Sequence, residues 1–241
     1  YLGPKFSEKE IEKELKYLNG IFSKHSKREV IEKTALAISQ NKAIGWFNGR
    51  MEFGPRALGS RSILGNAKSP ETQKNLNLKV KFRESFRPFA PSVLEEECSN
   101  WFDLQVPSPY MLLVAEINED KKILNQEIDN LNGLDKLKLI RSDIPAVTHV
   151  DFSARIQTVS QETNPDYYEL IKEFFHLTGC PVIVNTSFNV RGEPIVFSPR
   201  DAFKCFMGTN LDMLVLENFI LKKEDQDKKL LKSYLNKYKL D

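Results

Sequence analysis

The chain has 241 residues, 41% of them hydrophobic and 28% charged, with 35 Lys and Arg against 33 Asp and Glu. That length allows one large domain or two small ones, and a chain of this size buries about 70–75% of its unfolded surface without help from a disulfide or metal. Disorder over the whole chain is excluded, and no run reaches the roughly 18 apolar residues that a membrane span requires.

The opening, YLGPKFSEKEIEKEL, has no initiator Met and no apolar signal-peptide core, so we read it as part of a longer protein. Ser7 and Glu10 have the spacing of a capping box, and Ile11, Leu15 and Leu18 continue a helix to the stop Asn19-Gly20. Ser26 and Glu29 repeat that start, predicting a second helix to about Gln40. The apolar run 43–47 predicts a buried strand, and 48–62, NGRMEFGPRALGSRS, a glycine-punctuated loop. Ser69-Pro70 opens a helix that the pattern carries to about Lys79, and strands are expected in 88–95 and 109–117. The polar, weakly periodic stretch 118–144 reads as a peripheral insertion with at most a helical turn. Beyond it we expect strands at 146–150 and 154–159, a helix from Asn164-Pro165 to Gly179, and a strand at 181–184. A polar loop at 185–193, a helix from Ser198-Pro199 and final strands within 211–221 complete the pattern, before a charged tail at 222–241. Strands mixed with helices, without strict alternation, predict one α/β (α+β) domain with a mixed sheet.

Charge is concentrated rather than spread. Between Arg50 and Arg87 lie nine basic residues (Arg50, Arg56, Arg61, Lys68, Lys74, Lys79, Lys81, Arg83 and Arg87) and three acids (Glu52, Glu71 and Glu84). Glycines at 49, 54, 59 and 65 share the segment and let backbone amides approach a ligand closely. Arginine suits a phosphate because its planar fork meets two oxygens at once. Lys79, Lys81 and Arg83 alternate, so an extended backbone would point them to one face. Solvated surface charge is the competing reading for any one of these residues.

Two later segments share this character. Arg155, in DFSAR, falls at a predicted strand start, and Asn185, Thr186, Ser187 and Asn189 follow an apolar strand, where α/β sheets usually bind ligands. His149 and Asp151 would alternate along one strand edge as an acid–base or metal pair, against a plain structural role. The three cysteines, Cys98, Cys180 and Cys205, form no CxxC, which argues for core thiols in a reducing cytoplasm. No close His pair suggests a metal site, and no GxSxG, Walker or GxGxxG motif is present.

GWFNGRMEFGPRALGSRSIL, NLNLKVKFRESFRPFAPSVLEE, PAVTHVDFSARIQTV and TGCPVIVNTSFNVRGEPIVFSPRDAFKCF, taken in order, resemble the C-terminal domain of the NodU/CmcH-type O-carbamoyltransferases. The resemblance runs from about 43 to 221, with 118–144 unmatched, 1–42 as a helical lead-in from an interdomain junction, and 222–241 as a tail. It implies a YrdC-like fold, a twisted mixed sheet flanked by helices. It also implies that carbamoyl phosphate and ATP, with Mg²⁺ on the nucleotide, react to carbamoyladenylate. An iron-holding, Kae1-like N-terminal domain, absent from this chain, would then pass the carbamoyl group to an acceptor hydroxyl. The carbamoyl-phosphate ligands it implies are Arg56, Lys81, Arg87, Arg155 and Asn185, with Arg56, Arg87 and Arg155 as fixed electrostatics. Arg50, Glu52, Arg61, Arg83, His149, Thr186, Ser187 and Asn189 form an outer set toward ATP. Two other readings stay open: an RNA-binding module using the same basic face, and a non-catalytic interaction domain that docks another protein through apolar surface once covered by a neighbouring domain. Phe82, expected to point from that face into the core, argues against nucleic acid.

Overall fold

The computed structural model describes residues 1–85, 87–123 and 139–235. Helix α1 (Glu8–Tyr17) and helix α2 (Lys27–Ser39) each start at a complete capping box, from Ser7 with Glu10 and from Ser26 with Glu29. Between them lies the short strand β1 (Ser23–Lys24). Strands β2 (Ile44–Phe47) and β3 (Arg61–Asn66) are buried along their whole length and flank the glycine loop. Helix α3 (Pro70–Leu76) begins with Pro at its first turn and runs into a π-helical turn, Asn77–Lys81. Strand β4 (Ala90–Leu94), helix α4 (Cys98–Trp101) and strand β5 (Leu113–Glu116) follow. Strand β6 (Ser153–Val159), helix α5 (Pro165–Thr178), strand β7 (Val182–Ser187) and helix α6 (Pro199–Gly208) come next. Strands β8 (Met213–Leu216) and β9 (Phe219–Lys222) and helix α7 (Lys228–Leu235) close the order.

The nine strands form one sheet in the order β1-β9-β8-β2-β3-β7-β4-β6-β5. Pairs β2–β8 and β4–β6 are parallel and the others antiparallel, so the sheet is mixed, as expected. Glycine-free strands of Val, Ile and Leu at its centre, such as β7 and β8, are buried on both faces, which requires helices on both sides. Helix α5 ends at Gly179, whose φ of +69° accepts the left-handed cap. At the far end of the chain, the Tyr234 ring meets Phe203 edge-on at 6.0 Å, holding α7 against α6.

Three expectations are corrected. Residues 146–150 are turns rather than a strand, because the Thr148 and Ser142 hydroxyls and the Ile144 carbonyl bond locally and compete with a ladder. Residues 79–83 are not extended. The π turn ends at Phe82, with φ +49°, and Lys81 is buried instead of sharing an open face with Arg83. Asn185 lies within β7, not in a loop after it.

The two ends of 118–144 meet where Ile123 N–H donates to the Arg141 carbonyl at 2.7 Å. The rest of the expected insertion, 124–138, lies outside the described residues, as do Phe86 and the tail end 236–241. Cys98, Cys180 and Cys205 are buried free thiols. Among the described residues no helix is long and apolar enough to cross a membrane.

Candidate functional site

The glycine loop is built from a buried carboxylate. Glu52 Oε1 accepts from the N–H groups of Leu58 (2.7 Å), Ser60 (2.7 Å) and Arg61 (3.2 Å), curling 52–61 around one anionic centre. Trp46, at the end of β2, donates its indole N–H to the Gly59 carbonyl at 2.9 Å. Gly59 has φ +95°, and a Cβ there would run into the Tyr167 ring, so glycine is required on two grounds. The N-terminal residues fasten the loop from outside. Gly3 N–H donates to Met51 O at 2.9 Å, Met51 N–H to Pro4 O at 3.0 Å, and Tyr1 Oη to Leu58 O at 2.9 Å.

A second polar residue builds the other wall. Asn77, fully buried, donates from Nδ2 to the carbonyls of Ser85 (3.1 Å) and Arg87 (2.8 Å) and accepts from Arg83 Nε at 2.6 Å. Its side chain thus fixes the segment that carries Arg83 and Arg87. The Arg83 guanidinium lies 4.9 Å from the Phe89 ring centroid.

Between these walls lies a cleft of about 460 Å³, lined by Arg56, Arg83, Arg87, His149, Arg155 and residues 185–187, among others. It opens beside the start of β4 and β6 and the end of β7, where Ala90 pairs with Asn185. The four arginines come from three separate stretches of chain, and among the described residues no carboxylate lines the cleft. Burial lowers the Arg155 pKa from its usual value, and the Arg56 charge adds to the fall. Arg83 is pushed down to about 10, first by burial and then by Arg87. Each guanidinium is therefore made less comfortable by its neighbour, a repulsion that a bound anion would relieve. Burial likewise lowers His149; Asp151 opposes that fall and Arg155 adds to it.

Asn185 lies at the cleft floor, 1% exposed. Its Nδ2 donates to Ala57 O (3.0 Å) and to Gln157 Oε1 (2.8 Å). Its Oδ1 is buried with no hydrogen-bond partner among the described residues, and so is Arg155 Nε.

The structure therefore brings together Arg56, Arg83, Arg87, His149, Arg155, Asn185, Thr186 and Ser187. It leaves the remaining candidates behind the walls. Lys81 is 5% exposed and donates to the carbonyls and side chains of Ser187 and Asn189, among them Asn189 Oδ1 at 2.8 Å and Asn189 O at 3.0 Å. Arg61 is fully buried, stacked 3.4 Å from the Phe47 centroid, and donates to four backbone carbonyls. Arg50 donates to Gly3 O at 3.1 Å from an exposed position. Asp151 accepts from Ser153 Oγ at 2.7 Å and closes a turn; it meets His149 through its charge and through that hydroxyl, 3.4 Å from His149 Nδ1. Sequence reasoning passed over Asn77 and Gln157. Neither carries a local signal, since Asn77 lies in the polar run QKNLNLKVK and Gln157 in the mixed strand SARIQTV. Among the described residues no group of three or more His, Cys, Asp or Glu could hold a metal ion.

A concave cluster of arginines, with no acid in its lining among the described residues, has the chemistry that suits an anion. The chain belongs to the carbamoyltransferase C-terminus family, which matches residues 35–223. An uncharacterized protein of Synechocystis sp. is 54% identical over 229 residues, covering 94% of this chain and 37% of the relative. Nodulation protein NolO of Bradyrhizobium diazoefficiens is 40% identical over 227 residues, covering 92% and 38%. The chain thus spans well under half the length of these curated relatives. Among solved structures, full-length HypF in a phosphate- and nucleotide-bound form superposes with a TM-score of 0.49 at 18% identity, over 85% of this chain and 22% of that one.

Proposed function

We propose that this chain is the carbamoyl-phosphate- and ATP-using part of an O-carbamoyltransferase, forming carbamoyladenylate. A Kae1-like domain elsewhere in the polypeptide then transfers the carbamoyl group to an acceptor hydroxyl. One observation carries the reading: four guanidinium groups from three chain segments share a cleft with no carboxylate in its lining among the described residues. Isolated surface arginines do not gather this way without an anion to offset their repulsion.

In the reaction, water cleaves carbamoyl phosphate to carbamate and inorganic phosphate. A carbamate oxygen then attacks the α-phosphorus of ATP, the bond to the β-phosphate bridge breaks, and pyrophosphate leaves. Two polyanions must lie side by side, and fixed guanidinium groups offset their charge and align the reacting atoms. Arg56 and Arg155, whose charges already act on each other, hold the carbamoyl-phosphate phosphoryl group. Arg87 joins them there, and Arg83, on the same Asn77-pinned segment, serves the triphosphate. No side chain needs to form a covalent intermediate. Mg²⁺ arrives on the nucleotide, held by its phosphates and water. Lys81 supports the 187–189 turn behind the cleft rather than touching substrate.

The test is pyrophosphate release from ATP on addition of carbamoyl phosphate. Arg56→Ala should lower kcat/KM by about a hundredfold or more, the scale of one lost transition-state donor. Pyrophosphate release independent of carbamoyl phosphate, or a rate undiminished in Arg56→Ala, would overturn the reading.

A further inference from the structure

Asn185 and Gln157 carry two amides whose polarity is dictated by groups that can act in one sense only. Backbone carbonyls accept and never donate. Ala57 O therefore requires Nδ2 of Asn185 (3.0 Å), and Leu58 O requires Nε2 of Gln157 (3.0 Å). With its nitrogen turned to Leu58, Gln157 presents Oε1 to the opposite side, where it accepts from Ser92 Oγ (2.7 Å) and from Asn185 Nδ2 (2.8 Å). Both hydrogens of the Asn185 amide are then in use. What remains of the amide is Oδ1 alone, an acceptor, buried and unpartnered among the described residues, on a residue that lines the arginine cleft.

A buried acceptor without a donor is a standing penalty that a correctly placed N–H or O–H removes. We propose that Gln157 is a positioning residue that locks Asn185 as a pure acceptor, so the cleft selects a phosphoryl anion whose neighbouring group carries an N–H. On the reading of the cleft given above, on which this inference rests, that group is the carbamoyl amide. An acyl phosphate with a methyl in place of the amino group fills the same volume and carries the same charge on its phosphoryl group. It leaves Oδ1 unsatisfied. Discrimination by a missing hydrogen-bonding group is larger than discrimination by size alone.

The experiment measures binding of freshly prepared carbamoyl phosphate, acetyl phosphate and inorganic phosphate to this chain by calorimetry. Carbamoyl phosphate should bind at least about tenfold more tightly than acetyl phosphate, from one satisfied buried acceptor. Gln157→Leu leaves the Asn185 amide held by Ala57 O alone and releases its second N–H, so the site offers a ligand a donor as well as an acceptor, and the two affinities should converge to within about twofold. Equal affinities in the unsubstituted chain overturn the inference without recourse to a variant, so a Gln157→Leu chain that fails to fold leaves the test intact. A preference that survives in folded Gln157→Leu overturns it as well. If none of the three anions binds, it is the cleft reading that fails. If all bind alike and Arg56→Ala loses them all, that reading stands and only the role of Gln157 falls.

Discussion

Among single residues, Lys81 is a buried amine and Lys223 a part-buried one. Burial pushes each ammonium down to about 7 from 10.5, against an opposing influence of Cys205. The unfolded chain keeps those protons to about 10.5, so above pH 7 it binds more protons than the folded chain. Stability must then rise with pH, starting near 7. Above about 9 the buried thiols oppose and level that rise, since Cys180 and Cys205 hold their protons to about 12 when folded and to 9.0 when not. Urea unfolding between pH 7 and 9 should therefore show rising stability, and Lys81→Met should flatten that rise; a slope unchanged in the variant would exclude Lys81 as its source. The arginines of the cleft were legible from composition, because nine cations against three acids in one glycine-rich segment needs a reason. Lys81 was misread because alternation implies a shared face only on an extended backbone, and Asn77 held that backbone in a π turn. Gln157 was invisible for a related reason. A glutamine alternating with apolar neighbours looks like the wet face of a strand, and only the packing of β4, β6 and β7 buries it.

At the level of elements, the starts of helices were the most readable features, since a capping side chain bonds within its own turn and needs no tertiary partner. Ser198 accepts from Asp201 N–H at 3.2 Å and completes a third capping box at α6. Strand 146–150 failed where side-chain hydroxyls captured the backbone, a competition that apolar patterning does not register. The glycine loop is the element whose shape matters most to the cleft. Gly59→Ala forces a left-handed residue to carry a Cβ into the Tyr167 ring. It should destabilise the fold by about 2 kcal/mol or more, as strain and overpacking together do. In thermal melts the midpoint should fall, and carbamoyl-phosphate binding should weaken with the displaced Arg56. A Gly49→Ala control, φ +62° with nothing within 4 Å, should lose only the conformational part, about 1 kcal/mol.

For the molecule as a whole, strand order was beyond reach of the sequence, because β2 pairs with β8 across some 170 residues and β4 with β6 across 60 or more, and loop closure at that range leaves no local trace. The same long-range assembly fastens residues 1–6 across the glycine loop, through Gly3, Pro4 and Tyr1. Deleting 1–6 should leave the sheet in place, raise amide hydrogen exchange through 49–61 and weaken phosphate binding several-fold; unchanged exchange there would show the strap to be idle. The indole of Trp46 offers a way to watch that loop directly. It is 1% exposed and bonded to the loop at Gly59, while the chain's other tryptophan, Trp101, lies beneath Lys121 on α4. A Trp101→Phe background leaves a lone emitter whose fluorescence wavelength and quenching track the polarity at the base of the loop, turning substrate titration into a readout that needs no label.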